Sequence, residues 1–167
     1  MAAARQAYLH AFARMPSGIL TEDRGASVPT ILDILAHALN GFRSGIVCDY
    51  VDEGAKDPHI KESGWSLAET TEFALKVDRV VEDFLASLSR KDLDREFTFH
   101  WTPDDASTRT TMKTRDLLRH LVVEELQHRG EINALLRERE LDAPIMDWID
   151  WVKNPDLSHC ESVPFRR

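Results

Sequence analysis

What the chain lacks narrows its class first. Two cysteines, Cys48 and Cys160, stand 112 positions apart with no CxxC spacing, so neither a zinc knuckle nor a thioredoxin-type redox pair is encoded. Both read as incidental thiols. No apolar run approaches the roughly 20 residues that span a bilayer. The opening stretch, MAAARQAYLHAFARM, carries one charge before Phe12 and lacks the basic start, apolar middle and cleavage site that together make a secretory signal. A cytoplasmic location follows as the expectation. Basic residues are also in deficit. With 21 Lys and Arg against 29 Asp and Glu the net charge is −8, which argues against nucleic-acid partners and against docking on an anionic membrane. There is no internal repeat and no low-complexity tract.

What remains is ordinary globular material. Hydrophobic residues make up 43% and charged residues 30% of 167 positions, enough for one domain over residues 1–167 with an apolar core of its own. The periodicity is helical. Ile31, Ile34, Leu35, Ala38, Leu39 and Phe42 follow the i, i+3, i+4 rhythm of one buried stripe. Ser27 is the expected N-cap of that helix, with Pro29 in its first turn. Ser66-Leu67-Ala68-Glu69 reads as a capping box that opens another helix, continued by Phe73, Val77, Val80, Val81, Phe84 and Leu88. A third starts near Thr114, and a first, around Tyr8 and Phe12, stops at Pro16. Between Arg95 and Thr114, Phe97 and Phe99 alternate with polar residues, which predicts an extended crossover or hairpin. After Leu141 the segment DAPIMDWIDW suggests a short terminal helix. The expected fold is all-α: a four-helix bundle with helices near 2–15, 28–50, 66–88 and 115–138, a long crossover and a short C-terminal helix.

On a helical wheel, Leu117, Leu121, Ile132 and Leu135 share one side of the fourth helix, and His128 and Glu125 fall among them. Glu124 lies at the edge, one turn before His128, and His120 one turn earlier. Polar groups on an apolar face need a partner or an ion. Glu124 and His128 stand at i and i+4, the spacing at which HExxH metalloproteases place two ligands, although that motif is absent. A third ligand has to come from a facing helix, and His37, beside Ile34-Leu35-Ala38, is best placed. Taken alone, His37 reads as a buried, hydrogen-bonded histidine; the joint pattern makes it a candidate ligand. His120 reads as the edge of a pocket or a solvent-facing residue, and His10, His59, His100 and His159 as surface residues. Gly130 is expected to permit close helix approach, Arg129 to pair with a carboxylate across the bundle, and Trp148 and Trp151 to anchor the last helix.

Over roughly residues 19–151 the chain resembles the DinB-like, or DinB/YfiT, metal-binding bundles. The residues that carry the likeness are Ile34-Leu35-Ala36-His37-Ala38-Leu39-Asn40, then Glu124 through His128-Arg129-Gly130-Glu131-Ile132, and the closing Ala143-Pro144-Ile145 with Asp147-Trp148. Where the family's pattern has the first His of HxxxH, this chain has Glu124. The resemblance therefore implies a metal set of His37, Glu124 and His128 binding a divalent ion such as Zn, Ni, Fe or Mn, or else a site that has lost its metal. Glu125 is expected to orient a ligand histidine or to form an interhelical salt bridge. The implied activity is that of a metal-dependent thiol transferase or a hydrolase acting on a small molecule, such as a low-molecular-weight thiol. The alternatives are a non-catalytic metal- or ligand-binding stress protein and a structural homodimer. Pairing into a homodimer is itself an expectation of the likeness.

Overall fold

The computed structural model describes residues 1–51, 61, 63–100, 109–144 and 162–163. Its helices are α1 (Ala2–Phe12), the single turn α2 (Ser17–Leu20), α3 (Ile31–Arg43), α4 (Leu67–Ser87) and α5 (Thr114–Glu138). Strands β1 (Glu96–His100) and β2 (Arg109–Lys113) form an antiparallel hairpin, with Phe97 opposite Met112 and Phe99 opposite Thr110. The crossover anticipated from alternation is this hairpin, and its Phe97 and Phe99 are buried. Two short strands, β3 (Ala143–Pro144) and β4 (Ser162–Val163), pair antiparallel. Of the segment expected to form a terminal helix after Leu141, Ala143–Pro144 are the extended strand β3, and residues 145–151 lie outside the described residues. Trp148, Trp151, His59, His159 and Cys160, and the side chains of Cys48 and His100, lie outside the described residues. Among the described residues no helix is long and apolar enough to cross a membrane.

Helix α3 packs between α4 and α5, and α1 lies across α4. Tyr8, Phe12, Ile31, Leu35, Leu39, Val77, Leu117, Leu121 and Ile132 join in one buried cluster. The apolar stripe read from the sequence faces this core, while α3 begins later than Ser27. Its N-cap is Thr30, whose hydroxyl oxygen accepts from the Asp33 backbone N–H at 3.1 Å. Asp33 is itself buried and accepts from the Thr30 hydroxyl at 2.7 Å and from the Trp65 backbone N–H at 3.0 Å. Pro29 belongs to the preceding turn, where its carbonyl accepts from Arg24 N–H at 3.1 Å. Helix α1 ends at Phe12 because the chain must turn out of helical geometry ahead of Pro16.

After Arg43 the helix widens into a π-helical segment over Ser44–Val51. There the backbone of Gly45 comes so close to α5 that a Cβ would stand 3.0 Å from Leu117 Cδ1. The capping box at α4 is present in both halves: Ser66 accepts from Glu69 N–H at 3.3 Å, and Glu69 accepts from Ser66 N–H at 2.8 Å. The Ser66 hydroxyl also donates to the Glu69 carboxylate at 2.6 Å, and that bond, then the Ser66 N–H and Lys61, pull the Glu69 carboxyl down to about 2. Ser66→Ala is expected to cost about 1 kcal/mol, the usual loss of a cap, read as a lower urea midpoint at unchanged slope.

Candidate metal centre

His37 and His128 come from α3 and α5, and the packing of those helices brings their rings together. The ring centroids are 5.0 Å apart and the planes stand at 82°, edge to face. His37 is exposed at the mouth of a cleft, whereas the His128 side chain is only 12% exposed. The cleft, about 190 Å³, continues between the two helices past Asn40, Gly41 and Glu124 to His120 and Phe99. Gly41 has nothing within 4 Å of where a Cβ would stand, so its missing side chain leaves the space open.

Both ring nitrogens of His128 face carboxylates. Glu124 Oε2 lies 3.4 Å from Nε2, and Glu131 Oε2 lies 3.3 Å from Nδ1. With the proton on Nδ1, the ring donates to Glu131 and turns the Nε2 lone pair into the cleft. The sequence reading did not single out Glu131. Its signal was present in the i, i+3 spacing from His128, which puts the two side chains on neighbouring turns. His120 lines the cleft and packs edge to face on Phe99, centroids 5.6 Å apart. His10 is exposed on α1, as expected.

Glu125, assigned in part to orienting a histidine, faces the other way. It is 1% exposed and accepts from Arg5 Nη1 at 2.6 Å and from Arg129. Arg5 also binds Asp78, so two guanidinium and two carboxylate groups form one buried cluster joining α1, α4 and α5. The salt-bridge alternative is the observed one, and it is interhelical through Arg5. Arg129 pairs along its own helix rather than across the bundle, and burial draws its pKa down to about 10. Gly130 makes no close approach among the described residues: a Cβ there would meet nothing within 4 Å.

A model of the DinB family matches residues 1–156. The chain belongs to the DinB family. A solved structure of a DinB-like protein from Bacillus cereus is 19% identical and superposes with a TM-score of 0.57, covering 86% of this chain and 91% of that one. At such identity the likeness shows the DinB fold alone. No curated protein matches the chain.

The donor set fits a borderline divalent ion in kind: two imidazoles and a carboxylate beside an open cleft. It is not a closed coordination shell. Among the described residues no group of three His, Cys, Asp or Glu side chains stands poised to hold an ion. The same cleft has unfinished hydrogen bonding, because Asn40 Oδ1 in its wall is buried and has no partner among the described residues.

The His37 pKa is lowered below 6.5 by partial burial in the cleft and then by His128, against opposing pulls from Glu124 and Glu131. For a histidine with a depressed folded pKa, the unfolded chain binds more protons between the folded value and 6.5. Stability of the metal-free protein should therefore rise with pH across that window and level off above it. Urea melts of parent and His37→Asn in a chelator check this, the variant showing the shallower rise.

Proposed function

We propose that this chain is a metal-dependent DinB-family enzyme acting on a small molecule, with His37, Glu124 and His128 holding the ion. The observation that carries the reading is the meeting of His37 and His128 ring to ring from separate helices, at one end of an open cleft. Glu124 supplies negative charge beside them and takes the place of a third histidine, lowering the charge of the site and suiting it to harder ions. Glu131 holds His128 in one orientation through Nδ1, the outer-shell role by which a carboxylate fixes a ligand imidazole. Zn, Ni, Fe or Mn would satisfy such a donor set, and the bound ion would lower the pKa of a thiol or a water, which is the chemistry of a thiol transferase or a hydrolase.

The chain's own residues account for the rest. Gly41 keeps the cleft open opposite Glu124, and Leu121, Ala38 and Phe99 give it apolar walls that limit water. His120 stands on the cleft face two turns from His128, packed edge to face on Phe99. The reading is tested by metal analysis of protein purified without an affinity tag, followed by assays with low-molecular-weight thiols and a chloro-aromatic electrophile. Bound metal with thiol turnover supports it. Bound metal without turnover of thiols or of hydrolysable esters would leave a metal-binding protein and remove the enzyme.

A further inference from the structure

One group in the wall of the cleft is left unserved by the fold. Asn40 follows His37 by three residues on α3, so the two side chains are neighbours on the helix surface. Asn40 is half-buried and lines the cleft, yet its Oδ1 is closed to solvent and accepts from no group among the described residues. Buried acceptors in that condition are rare and costly. The last side-chain torsion of asparagine is broad, so the carboxamide can turn its acceptor toward the cleft without moving the helix. A molecule in the cleft that brings a donor then supplies the missing bond.

The other walls decide what kind of molecule that is. Away from the histidine pair, the buried side chains of Phe99 and Leu121 bound the cleft, and Gly41 leaves its own side open. None of the described residues that line it is Lys or Arg, whereas Glu124 is among them. An anionic group there would face a carboxylate with no cation to balance it, and would lose hydration as well. The space also limits size. The cleft measures about 190 Å³, and an apolar cavity of roughly 150 Å³ already holds one benzene ring. Finally, a carboxamide offers an acceptor and a donor side by side. An amide is the uncharged group that presents the complementary pair.

We propose that the cleft selects an uncharged, single-ring molecule bearing an amide N–H, and that Asn40 is the specificity-determining residue that accepts from that N–H. The proposal rests on the reading of this cleft as the substrate site and adds the substrate class to it. It requires no ion.

Titration of the 167-residue chain with benzamide, benzoate and acetophenone tests it, followed by amide ¹H–¹⁵N spectra. The three probes share a ring and nearly a shape, and differ in charge and in the donor. Benzamide is expected to bind in the millimolar range and to shift the Gly41 amide in the cleft. Acetophenone and benzoate should each bind at least about tenfold more weakly, since a site built to pair with an N–H rejects the analogue that lacks one. Asn40→Ala should erase the preference of benzamide over acetophenone, and Asn40→Asp, which keeps an acceptor, should retain it. Urea melts separate this from a structural role: Asn40→Ala removes an unpaired buried acceptor, so its midpoint should match or exceed the parent's. The titrations are run on protein as purified and again after chelation. A preference that survives chelation, in protein found to hold no metal, supports the proposal while the metal reading falls. A parent that binds none of the probes overturns the proposal. So does benzoate or acetophenone binding as tightly as benzamide to the chelated protein, a preference that persists in Asn40→Ala, or shifts confined to residues away from the cleft.

Discussion

Replacing Glu124 by alanine is expected to weaken zinc and nickel binding sharply, and His37→Ala and His128→Ala should do the same. Each removes one of three donors, so each loss should exceed the roughly 10–100-fold that follows removal of an outer-shell partner. Glu131→Ala belongs to that smaller class, because its carboxylate touches His128 only through Nδ1. Glu124→His should keep or strengthen binding, by restoring three imidazoles. Isothermal titration of the five variants with each metal separates these outcomes. If Glu124→Ala binds as tightly as the parent, Glu124 is not a ligand. If only Glu124→His binds, the parent has given up the site.

The second large effect concerns stability and lies in the buried cluster that Glu125 of α5 forms with Arg5. Arg5→Met is expected to destabilise the fold by about 3–5 kcal/mol, the penalty for leaving buried charges without their partner. Arg5 is 1% exposed and serves both Asp78 and Glu125, so its loss strands the Asp78 carboxylate and leaves Glu125 with Arg129 alone. Such a loss is a large part of the roughly 5–15 kcal/mol that holds a domain of this size together. Glu125→Leu should also destabilise strongly, because Arg129 and Arg5 then lose a shared acceptor. Urea melts measure both. Neither variant should change zinc affinity per folded molecule, whereas a histidine-orienting Glu125 would cost metal affinity as well as stability.

Much of the framework was legible because it rests on local rules. The apolar stripe of α3, the Ser66–Glu69 capping box and the alternation at Phe97 and Phe99 each depend on residues close together in sequence. The pairing of His37 with His128 was also readable, since both lie on helix faces that have to meet for the core to close. What could not be read depends on distance in the chain. Nothing near Glu125 announces that Arg5, 120 residues earlier, will claim its carboxylate. The wheel placed Glu125 and His128 together on the core side, but the roughly 60° of helix between 125 and 128 and the position of α1 send one toward an arginine and the other toward a cleft. Thr30 displaced Ser27 as the cap because Asp33 and Trp65 bind there too, a tertiary contact added to a local choice between neighbouring hydroxyls. The π-helical widening after Arg43 accompanies the close passage of Gly45 over Leu117, which is a fact of packing rather than of propensity.

The central claim is that His37 and His128 jointly hold an ion, with Glu124 completing the set. Anomalous scattering at the zinc edge, from crystals grown with zinc, tests it most directly. The account predicts a single strong peak in the cleft between the two imidazoles, bounded on its third side by the Glu124 carboxylate. A cleft without a peak while zinc occupies other positions on the molecule would contradict it, as would a peak that His37 or His128 does not touch.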